Sequence, residues 1–193
     1  MSILVDMSIR VLGGSYRGRQ LGSVPGNATR PLLGQVKQAL FNILVDEIPD
    51  ATVWDLFAGT GATGIEALSR GAEKVLFVER APKALKVLKA NLALFDLEEG
   101  VSFSIVRGNA WVPPPVEERP DLIFLDPPYE QVQGDPAGSL DRVAKLCERL
   151  GEGGRLMFHF PRGVLTEESL APLGRVDLRH FGGAAVALIR PVP

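Results

Sequence analysis

The feature that most constrains the fold of this chain is a regular alternation of strand-like and helix-like segments from residue 52 onwards. Short apolar runs typical of buried strands alternate with segments whose apolar residues have helical spacing. Such alternation predicts an α/β fold, with a mostly parallel sheet and helices on both faces. The predicted helices are 64–70, 82–94 and 139–150, and the seven predicted strands are 53–57, 74–78, 101–106, 121–125, 155–160, 175–180 and 184–190. The last two strands are close enough to form an antiparallel hairpin.

A different pattern precedes residue 52. Two short extended runs, 9–14 and 17–21, flank a glycine-rich turn and predict a small β-hairpin. The apolar residues of 35–45 are three and four apart, which predicts an amphipathic helix. We therefore expect a small N-terminal extension over residues 8–50 and a larger domain over residues 51–193.

Charge narrows the classes of function. The whole chain has a net charge of −2, but residues 8–40 contain no acidic residue and have a charge of +5. A basic segment on an acidic chain indicates contact with a polyanion, and a solvated arginine-rich arm is the alternative. These basic residues are Arg10, Arg17, Arg19, Arg30 and Lys37.

The remaining composition argues against several other classes. The single cysteine, Cys147, excludes an intramolecular disulfide, and two histidines with one cysteine do not make a structural zinc site. No apolar run approaches the roughly 20 residues that a membrane span needs, and residues 1–7 lack the pattern of a signal peptide. We expect a cytoplasmic protein that does not interact with membranes.

A glycine-rich motif, Asp55-Leu-Phe-Ala-Gly59-Thr-Gly61-Ala-Thr-Gly64, joins the first predicted strand of the larger domain to a helix. Glycine lets the backbone approach a ligand, or lets a helix lie close to a strand. Glu79 ends the next strand, 20 residues after Gly59, where a carboxylate typically accepts hydrogen bonds from a ribose diol. The same spacing fits a nicotinamide or flavin dinucleotide, and a glycine turn without a ligand is the plainer alternative.

Asp55 helps to choose between these cofactors. It lies just before the glycine turn, where its negative charge would repel the pyrophosphate of a dinucleotide in a partly dry site. S-adenosylmethionine carries an ammonium and a sulfonium, which the same charge would attract. The motif therefore favours S-adenosylmethionine.

A second motif, Asp126-Pro127-Pro128-Tyr129, directly follows the fourth predicted strand of the larger domain. Open parallel sheets bind ligands at the carboxyl ends of their strands. The two prolines fix the backbone and remove two N–H donors, so the turn offers mainly acceptors. Acceptors beside an aromatic ring suit the exocyclic amine of a nucleobase, and a rigid turn with a stray aromatic residue is the alternative.

The glycine-rich motif, Glu79, Asn109-Ala110 and the motif at Asp126 follow one another along the chain. Motifs in this order resemble those of class I S-adenosylmethionine-dependent methyltransferases. The Asp-Pro-Pro-Tyr form resembles enzymes that methylate adenine N6 or guanine N2. Over residues 8–190 the chain is similar to the bacterial family that methylates guanine N2 in 16S ribosomal RNA, most specifically over residues 55–72. The resemblance implies a Rossmann-like class I methyltransferase fold whose N-terminal extension contacts RNA.

The resemblance also implies roles for individual residues. Methyl transfer would proceed directly to nitrogen, without a metal, and would leave S-adenosylhomocysteine. The target-base site would consist of Asp126, Pro127, Pro128 and Tyr129. Cofactor binding would use Asp55, Phe57, Gly59, Gly61, Gly64, Glu79, Asn109 and Ala110. RNA contact would use Arg10, Tyr16, Arg17, Arg19 and Arg30.

Two stretches depart from the family pattern. Leu32, Leu33, Gly34 and Gln35 follow Arg30-Pro31 where the family has mostly polar and charged residues. The fifth strand ends at Phe160, where the family usually has Glu. Both changes leave room for a shifted target.

Residues outside the motifs receive plainer interpretations. His159 and His180 lie among apolar neighbours and are interpreted as core or rim histidines. Cys147 lies in a predicted helix and is interpreted as a packed thiol.

The leading hypothesis is therefore a monomeric rRNA guanine-N2 methyltransferase that acts on ribosomal RNA or a small-subunit assembly particle. An adenine-N6 methyltransferase of DNA or RNA is an alternative, although such DNA enzymes usually carry a sizeable recognition domain. A nicotinamide-linked oxidoreductase would explain the glycines but not the motif at Asp126. A non-catalytic RNA-binding paralogue would fit the departures at 32–35.

Overall fold

The structure is a computed structural model that describes residues 9–24, 34–115 and 118–192, without the side chain of Gln35. The chain divides into two compact units between Pro114 and Pro115. The N-terminal segment and the first strands of the main sheet thus belong to the same unit, unit 1. A functional boundary near residue 50 stays a prediction.

Unit 1 contains a two-stranded antiparallel hairpin and three parallel strands in the order β5-β4-β3. All five residues of β3 are buried, as the apolar run predicted. Because the three strands are parallel, their carboxyl ends lie at one edge, where the glycine motif, Glu79 and Asn109 follow them. The elements are β1 (Ile9–Arg10), β2 (Gln20–Leu21), α1 (Gly34–Ile43), β3 (Thr52–Leu56), α2 (Ala62–Ser69), β4 (Lys74–Glu79), α3 (Pro82–Leu92) and β5 (Phe103–Arg107).

The helices of unit 1 bury the apolar faces that their spacing predicted. Helix α3 begins at Pro82, whose missing N–H costs nothing in the first turn, and buries Leu85, Leu88 and Leu92. Helix α2 lies so close to β4 that a Cβ atom on Gly64 would stand 2.3 Å from Cε1 of Phe77. Close helix–strand approach is therefore the reason for glycine at this position.

A buried carboxylate on α2 fixes the loop of the N-terminal hairpin. The backbone N–H groups of Leu12 and Gly13 donate to Glu66, at 2.7 and 2.8 Å. Glu66 is fully buried and also pairs with Lys37 Nζ at 3.0 Å and Arg70 Nε at 2.8 Å. Lys37, which the sequence placed in the basic segment, is thus a buried partner of Glu66 and not a surface cation.

Unit 2 contains four strands in the order β6-β7-β9-β8. Strands β6 and β7 are parallel, and β9 pairs antiparallel with both β7 and β8, so the predicted C-terminal hairpin is confirmed. The elements are β6 (Leu122–Leu125), α4 (Tyr129–Gly134), α5 (Pro136–Cys147), β7 (Arg155–Pro161), α6 (Glu167–Leu170), β8 (Arg175–Phe181) and β9 (Ala184–Arg190), with a 3₁₀ turn at Ala171–Leu173.

Two helices of unit 2 differ from the sequence prediction. The short α4 begins at Tyr129, where the sequence indicated only a turn. Helix α5 begins at Pro136 rather than at 139, because the Asp135 side chain accepts a hydrogen bond from Gly138 N and caps the helix. The α/β class is confirmed, and no helix within the described ranges is long and apolar enough to cross a membrane.

Candidate active site

The glycine motif forms a strained loop after β3. Phe57 and Gly59 both have positive φ, at 62° and 57°. For phenylalanine this conformation is uncommon and costs energy, and such residues cluster at functional sites. A Cβ atom on Gly59 would meet nothing nearer than 3.9 Å, so the loop is open on that side. Gly61 and Gly64 instead face Leu88 and Phe77, which indicates that they serve the close approach of α2 more than a ligand.

Glu79 holds this loop from the end of β4. Its Oε2 accepts from Gly59 N at 2.9 Å, and its Oε1 accepts from Arg80 N and Ala81 N, both at 2.7 Å. A carboxylate offers about four lone-pair sites, so these bonds leave capacity for about one more, on Oε2. Glu79 can therefore accept a hydrogen bond from one ribose hydroxyl more readily than from both hydroxyls of the diol, which the sequence suggested.

Asp55 lies under the same loop. It is 3% exposed, and its Oδ2 accepts from Gly64 N at 2.9 Å, near the start of α2. A carboxylate there satisfies a free N–H of the first helical turn and interacts favourably with the helix dipole. Asp55 thus has a structural role that its position in the sequence did not reveal. An additional role toward a cofactor ammonium stays a prediction.

Strand β5 leads into Asn109, Ala110 and Trp111. Oδ1 of Asn109 accepts from Trp111 N at 3.1 Å, which closes a local turn, and Ala110 is buried. The Trp111 ring stands edge-on to the Phe57 ring, with centroids 5.3 Å apart. Unit 1 therefore brings together residues from the ends of β3, β4 and β5, as predicted.

These residues fit S-adenosylmethionine. The loop is open at Gly59, Glu79 keeps an acceptor site, and the Phe57 and Trp111 rings meet edge-on. The carboxylate of Asp55 suits a cationic ligand and opposes a pyrophosphate. Within the described ranges there is no group of three or more His, Cys, Asp or Glu side chains that could hold a metal.

The residues predicted to contact RNA have different environments. Arg10, Arg17 and Arg19 are exposed, whereas the Tyr16 ring packs on Phe95 with centroids 4.4 Å apart. Arg30, together with Leu32 and Leu33, lies outside the described residues. Packing on Phe95 gives Tyr16 a role within unit 1, and base stacking by Tyr16 stays a prediction.

In unit 2, the motif Asp126–Tyr129 connects β6 to α4. Pro127 is buried, Pro128 is exposed and precedes the helix, and Tyr129 is its first residue. The Asp126 side chain is 31% exposed, so it is reachable from solvent. Within the described residues Asp126 uses Oδ1 and leaves Oδ2 available as an acceptor.

The partner of Asp126 is His159, on β7. Nδ1 of His159 lies 2.6 Å from Oδ1 of Asp126, and Nε2 lies 3.0 Å from the Tyr129 hydroxyl. The Tyr129 and His159 rings meet edge-on at 5.4 Å. His159 is buried, as predicted, but it connects the two polar residues of the motif, which sequence reasoning missed. The only signal in the sequence was the departure of this strand from the family pattern.

The other polar candidates show no comparable arrangement. Cys147 is buried, and burial raises the pKa of its thiol to about 12, so it is a packed thiol as predicted. His180 is exposed on β8, which places it at the surface and not in the core.

Comparison with known proteins gives a consistent result. Residues 9–190 match the family described as "Conserved hypothetical protein 95". The Bacillus subtilis protein YlbH is 32% identical over 186 residues, which cover 94% of this chain and 98% of YlbH. A protein named "Ribosomal RNA small subunit methyltransferase D" from Escherichia coli is 35% identical over 150 residues, 74% of this chain and 68% of its own length.

Solved structures agree with the fold. The Escherichia coli protein yhhF superposes with a TM-score of 0.75 at 27% identity and covers 95% of this chain and 97% of its own. TrmN from Thermus thermophilus superposes with a TM-score of 0.66 at 26% identity, over 86% of this chain and 51% of its own. The chain has the class I methyltransferase fold.

Proposed function

The chain belongs to the family described as conserved hypothetical protein 95, and on this premise we propose that it is an S-adenosylmethionine-dependent methyltransferase of guanine N2 in small-subunit ribosomal RNA. The rRNA part of the proposal draws on relatives named ribosomal RNA small subunit methyltransferase D. The observation that carries the chemistry is the Asp126 carboxylate, which His159 holds by Oδ1 while Oδ2 stays available.

The polarity of this acceptor suits an exocyclic amine. An ionised carboxylate accepts hydrogen bonds and donates none. Guanine presents N1–H and the N2 amine side by side, so both groups facing Asp126 would be donors. Adenine presents its N6 amine beside N1, an acceptor. Asp126 suits the exocyclic amine of either base, and the preference for guanine N2 over adenine N6 draws on the resemblance of the chain to the guanine-N2 family.

S-adenosylmethionine, when bound, supplies a methyl group that its sulfonium already activates. Residues of unit 1 would bind it: Glu79 by the acceptor site left on Oε2, and Phe57 and Trp111 by their rings. Residues of unit 2 would bind the base: Asp126 would accept a hydrogen bond from the N2 amine and orient it. Orientation and a fixed charge lower the barrier without a strong general base, because the methylated aminium is acidic and loses its proton readily.

RNA contact would come from exposed cations of the N-terminal hairpin. Arg10, Arg17 and Arg19 are exposed and form no ion pair within the described residues. The loop that carries Arg17 is fixed to α2 through Glu66 and through the Tyr16 N–H, which donates to Ser69 Oγ at 2.9 Å. A fixed loop presents its cations to phosphates without an ordering cost on binding. The partner would be ribosomal RNA or a small-subunit assembly particle in the cytoplasm.

The proposal can be tested with purified protein. The protein is incubated with labelled S-adenosylmethionine and either naked 16S RNA or small-subunit particles, and the product nucleosides are separated by mass spectrometry. We expect N2-methylguanosine. N6-methyladenosine would favour the alternative base. No methylated nucleoside, with RNA still bound, would favour a non-catalytic RNA-binding protein.

Calorimetry addresses the remaining alternative. We expect S-adenosylmethionine to bind and NAD not to bind, because Asp55 disfavours a pyrophosphate. Binding of NAD alone would favour an oxidoreductase.

A further inference from the structure

The hydrogen bonds of His159 define the direction of a chain of three residues. Asp126 in its ionised form only accepts, so Nδ1 of His159 must carry the proton of their 2.6 Å bond. In a neutral imidazole Nε2 is then an acceptor, so the Tyr129 hydroxyl donates to it across 3.0 Å. This tautomer is assigned from the hydrogen-bond partners. It leaves Asp126 Oδ2 as an acceptor.

We propose that His159 is a positioning residue for methyl transfer: it holds the Asp126 carboxylate by Oδ1 so that Oδ2 presents an acceptor to the target amine, and it links this carboxylate to the Tyr129 hydroxyl. The inference rests on the proposed function. His159 is 5% exposed, so it acts through its two neighbours rather than by touching the base. Its own strand pairs with β6 and β9, which fixes the imidazole relative to Asp126.

Two substitutions separate the two hydrogen bonds. In His159→Asn, the amide nitrogen lies near the former Nδ1 and can still donate to Asp126, but nothing replaces Nε2. In His159→Leu, both bonds are lost while a similar volume stays apolar. We expect His159→Leu to lower kcat about 10- to 100-fold, as a small misplacement of a reacting group does, and His159→Asn to recover most of that loss.

A double-mutant cycle distinguishes positioning from a merely structural role. If His159 acts through Asp126, the variant Asp126→Ala/His159→Leu should turn over no more slowly than Asp126→Ala alone. His180→Leu, on the exposed part of β8, is the matched control. S-adenosylmethionine affinity and melting temperature are measured for every variant, so that unfolding is recognised.

The results separate this inference from the proposed function. Wild-type protein that makes no N2-methylguanosine contradicts the proposed function. Two results would overturn the positioning role alone while the wild-type protein is active. One is a kcat of His159→Leu equal to that of the wild type. The other is that the losses from Asp126→Ala and His159→Leu multiply in the double variant. If His159→Leu does not fold, a second double-mutant cycle combines His159→Asn with Tyr129→Phe. Losses of kcat that do not multiply in the double variant support the role, and losses that multiply overturn it.

A second observation concerns the surface of α3. Arg80, Lys83, Lys86 and Lys89 are all exposed, and the sequence from 80 to 95 contains no acidic residue. None of the four forms an ion pair within the described residues, unlike Arg70, which pairs with Glu66. Residues three apart lie on neighbouring turns of a helix, so Lys83, Lys86 and Lys89 follow one another along α3, and Arg80 precedes its first turn.

The N-terminal hairpin adds a further cation next to those of α3. Gly22 N donates to Oδ1 of Asn91 on α3 at 2.7 Å, and the Tyr16 ring packs on Phe95, just beyond the helix. Arg17, next to Tyr16, is therefore brought to the C-terminal end of α3. We propose that α3 and the hairpin loop form one phosphate-binding surface for the RNA substrate. This proposal also rests on the proposed function.

Salt dependence of RNA binding tests this surface. Each lost phosphate contact reduces the slope of log K against log salt by about 0.7 for single-stranded RNA. We expect Lys83→Gln/Lys86→Gln/Lys89→Gln to reduce it by about 2, and the control Lys145→Gln/Arg175→Gln in unit 2 to leave it unchanged. An unchanged slope for the triple variant overturns the surface. RNA binding and methylation by the wild type are measured in parallel, so that a failure of the proposed function is seen separately.

Discussion

Asp126 of unit 2 and three carboxylates of unit 1 are held in different ways. In unit 1, Asp55, Glu66 and Glu79 all accept hydrogen bonds from backbone N–H groups. In unit 2, Asp126 is held by a side chain, His159. Backbone bonds fix loops and helix ends, whereas a bond between two side chains leaves the backbone independent of the carboxylate. Substitutions of these three unit 1 carboxylates should therefore affect folding or cofactor binding, and substitution of Asp126 should affect turnover alone.

The largest expected effect tests the first half of this comparison. Glu66→Gln removes the carboxylate 3.0 Å from the buried Lys37 ammonium, and breaking a buried ion pair costs about 3–5 kcal/mol of the free energy of unfolding. Denaturant unfolding at neutral pH measures the loss. Glu73→Gln, at an exposed position, is the control and should change little. Wild-type stability in Glu66→Gln would show that the loop does not depend on this carboxylate.

The same pair predicts a dependence on pH. Burial would raise the pKa of Glu66, but the Lys37 ammonium and the Leu12 N–H outweigh it and hold that pKa below its usual 4.5. The stabilisation is therefore present above pH 4.5 and is lost as pH falls through the lower folded value. Unfolding curves of wild type and Glu66→Gln should converge in acid. A constant difference down to pH 3 would contradict this.

Substitution of Asp126 tests the second half. We expect Asp126→Ala to lower methyl transfer on the order of 10²-fold or more, as loss of a preorganised electrostatic partner does. Cofactor affinity by calorimetry and the melting temperature should stay close to wild type. The exposed Asp141→Ala on α5 serves as the control. Turnover near the wild-type level would remove Asp126 from the mechanism.

Glu79→Ala should have the opposite profile. It removes the acceptor proposed for a ribose hydroxyl, so S-adenosylmethionine binding should weaken by about 1.5–3 kcal/mol, the range for a hydrogen bond to a charged group. Loss of its three backbone bonds should also lower the melting temperature, unlike Asp126→Ala. Calorimetry and thermal unfolding of Glu79→Ala and the exposed Glu152→Ala measure both effects. Unchanged cofactor affinity would mean that Glu79 only supports the loop.

The smallest effect concerns the hairpin. Arg17→Ala/Arg19→Ala should weaken RNA binding and reduce its salt slope by roughly 0.7 to 0.9 for each phosphate contact. Because Glu66 and Ser69 hold the loop by its backbone, the melting temperature and cofactor affinity should not change. Affinity at several salt concentrations, with Lys145→Gln as control, checks the slope. A lower melting temperature with an unaltered slope would make the arginines structural.

The features that the sequence predicted depend on residues close together in the chain. The strand, the glycine turn and the helix start of unit 1 fall within 13 residues, and the apolar spacing of α3 is likewise local. Most strands and the C-terminal hairpin were predicted for this reason. Helix boundaries shifted by two or three residues where a cap decided them, as Asp135 does for α5.

The features that were missed depend on distant partners. Lys37 is buried because Glu66, 29 residues away, neutralises it, and nothing near Lys37 in the sequence indicates this. His159 meets Asp126 across 33 residues, only because β6 and β7 are neighbours. Its apolar flanking residues correctly indicated burial but concealed its polar role.

The most direct test of the central claim is the inventory of methylated nucleosides in 16S RNA from cells that contain the protein, lack it, or carry only Asp126→Ala. We predict that one N2-methylguanosine is present with the wild-type protein and absent in the other two strains. The site should be restored when wild-type protein and S-adenosylmethionine are added to RNA or particles from the deficient cells. An unchanged N2-methylguanosine inventory in the deficient cells, or full methylation by Asp126→Ala, would contradict the account.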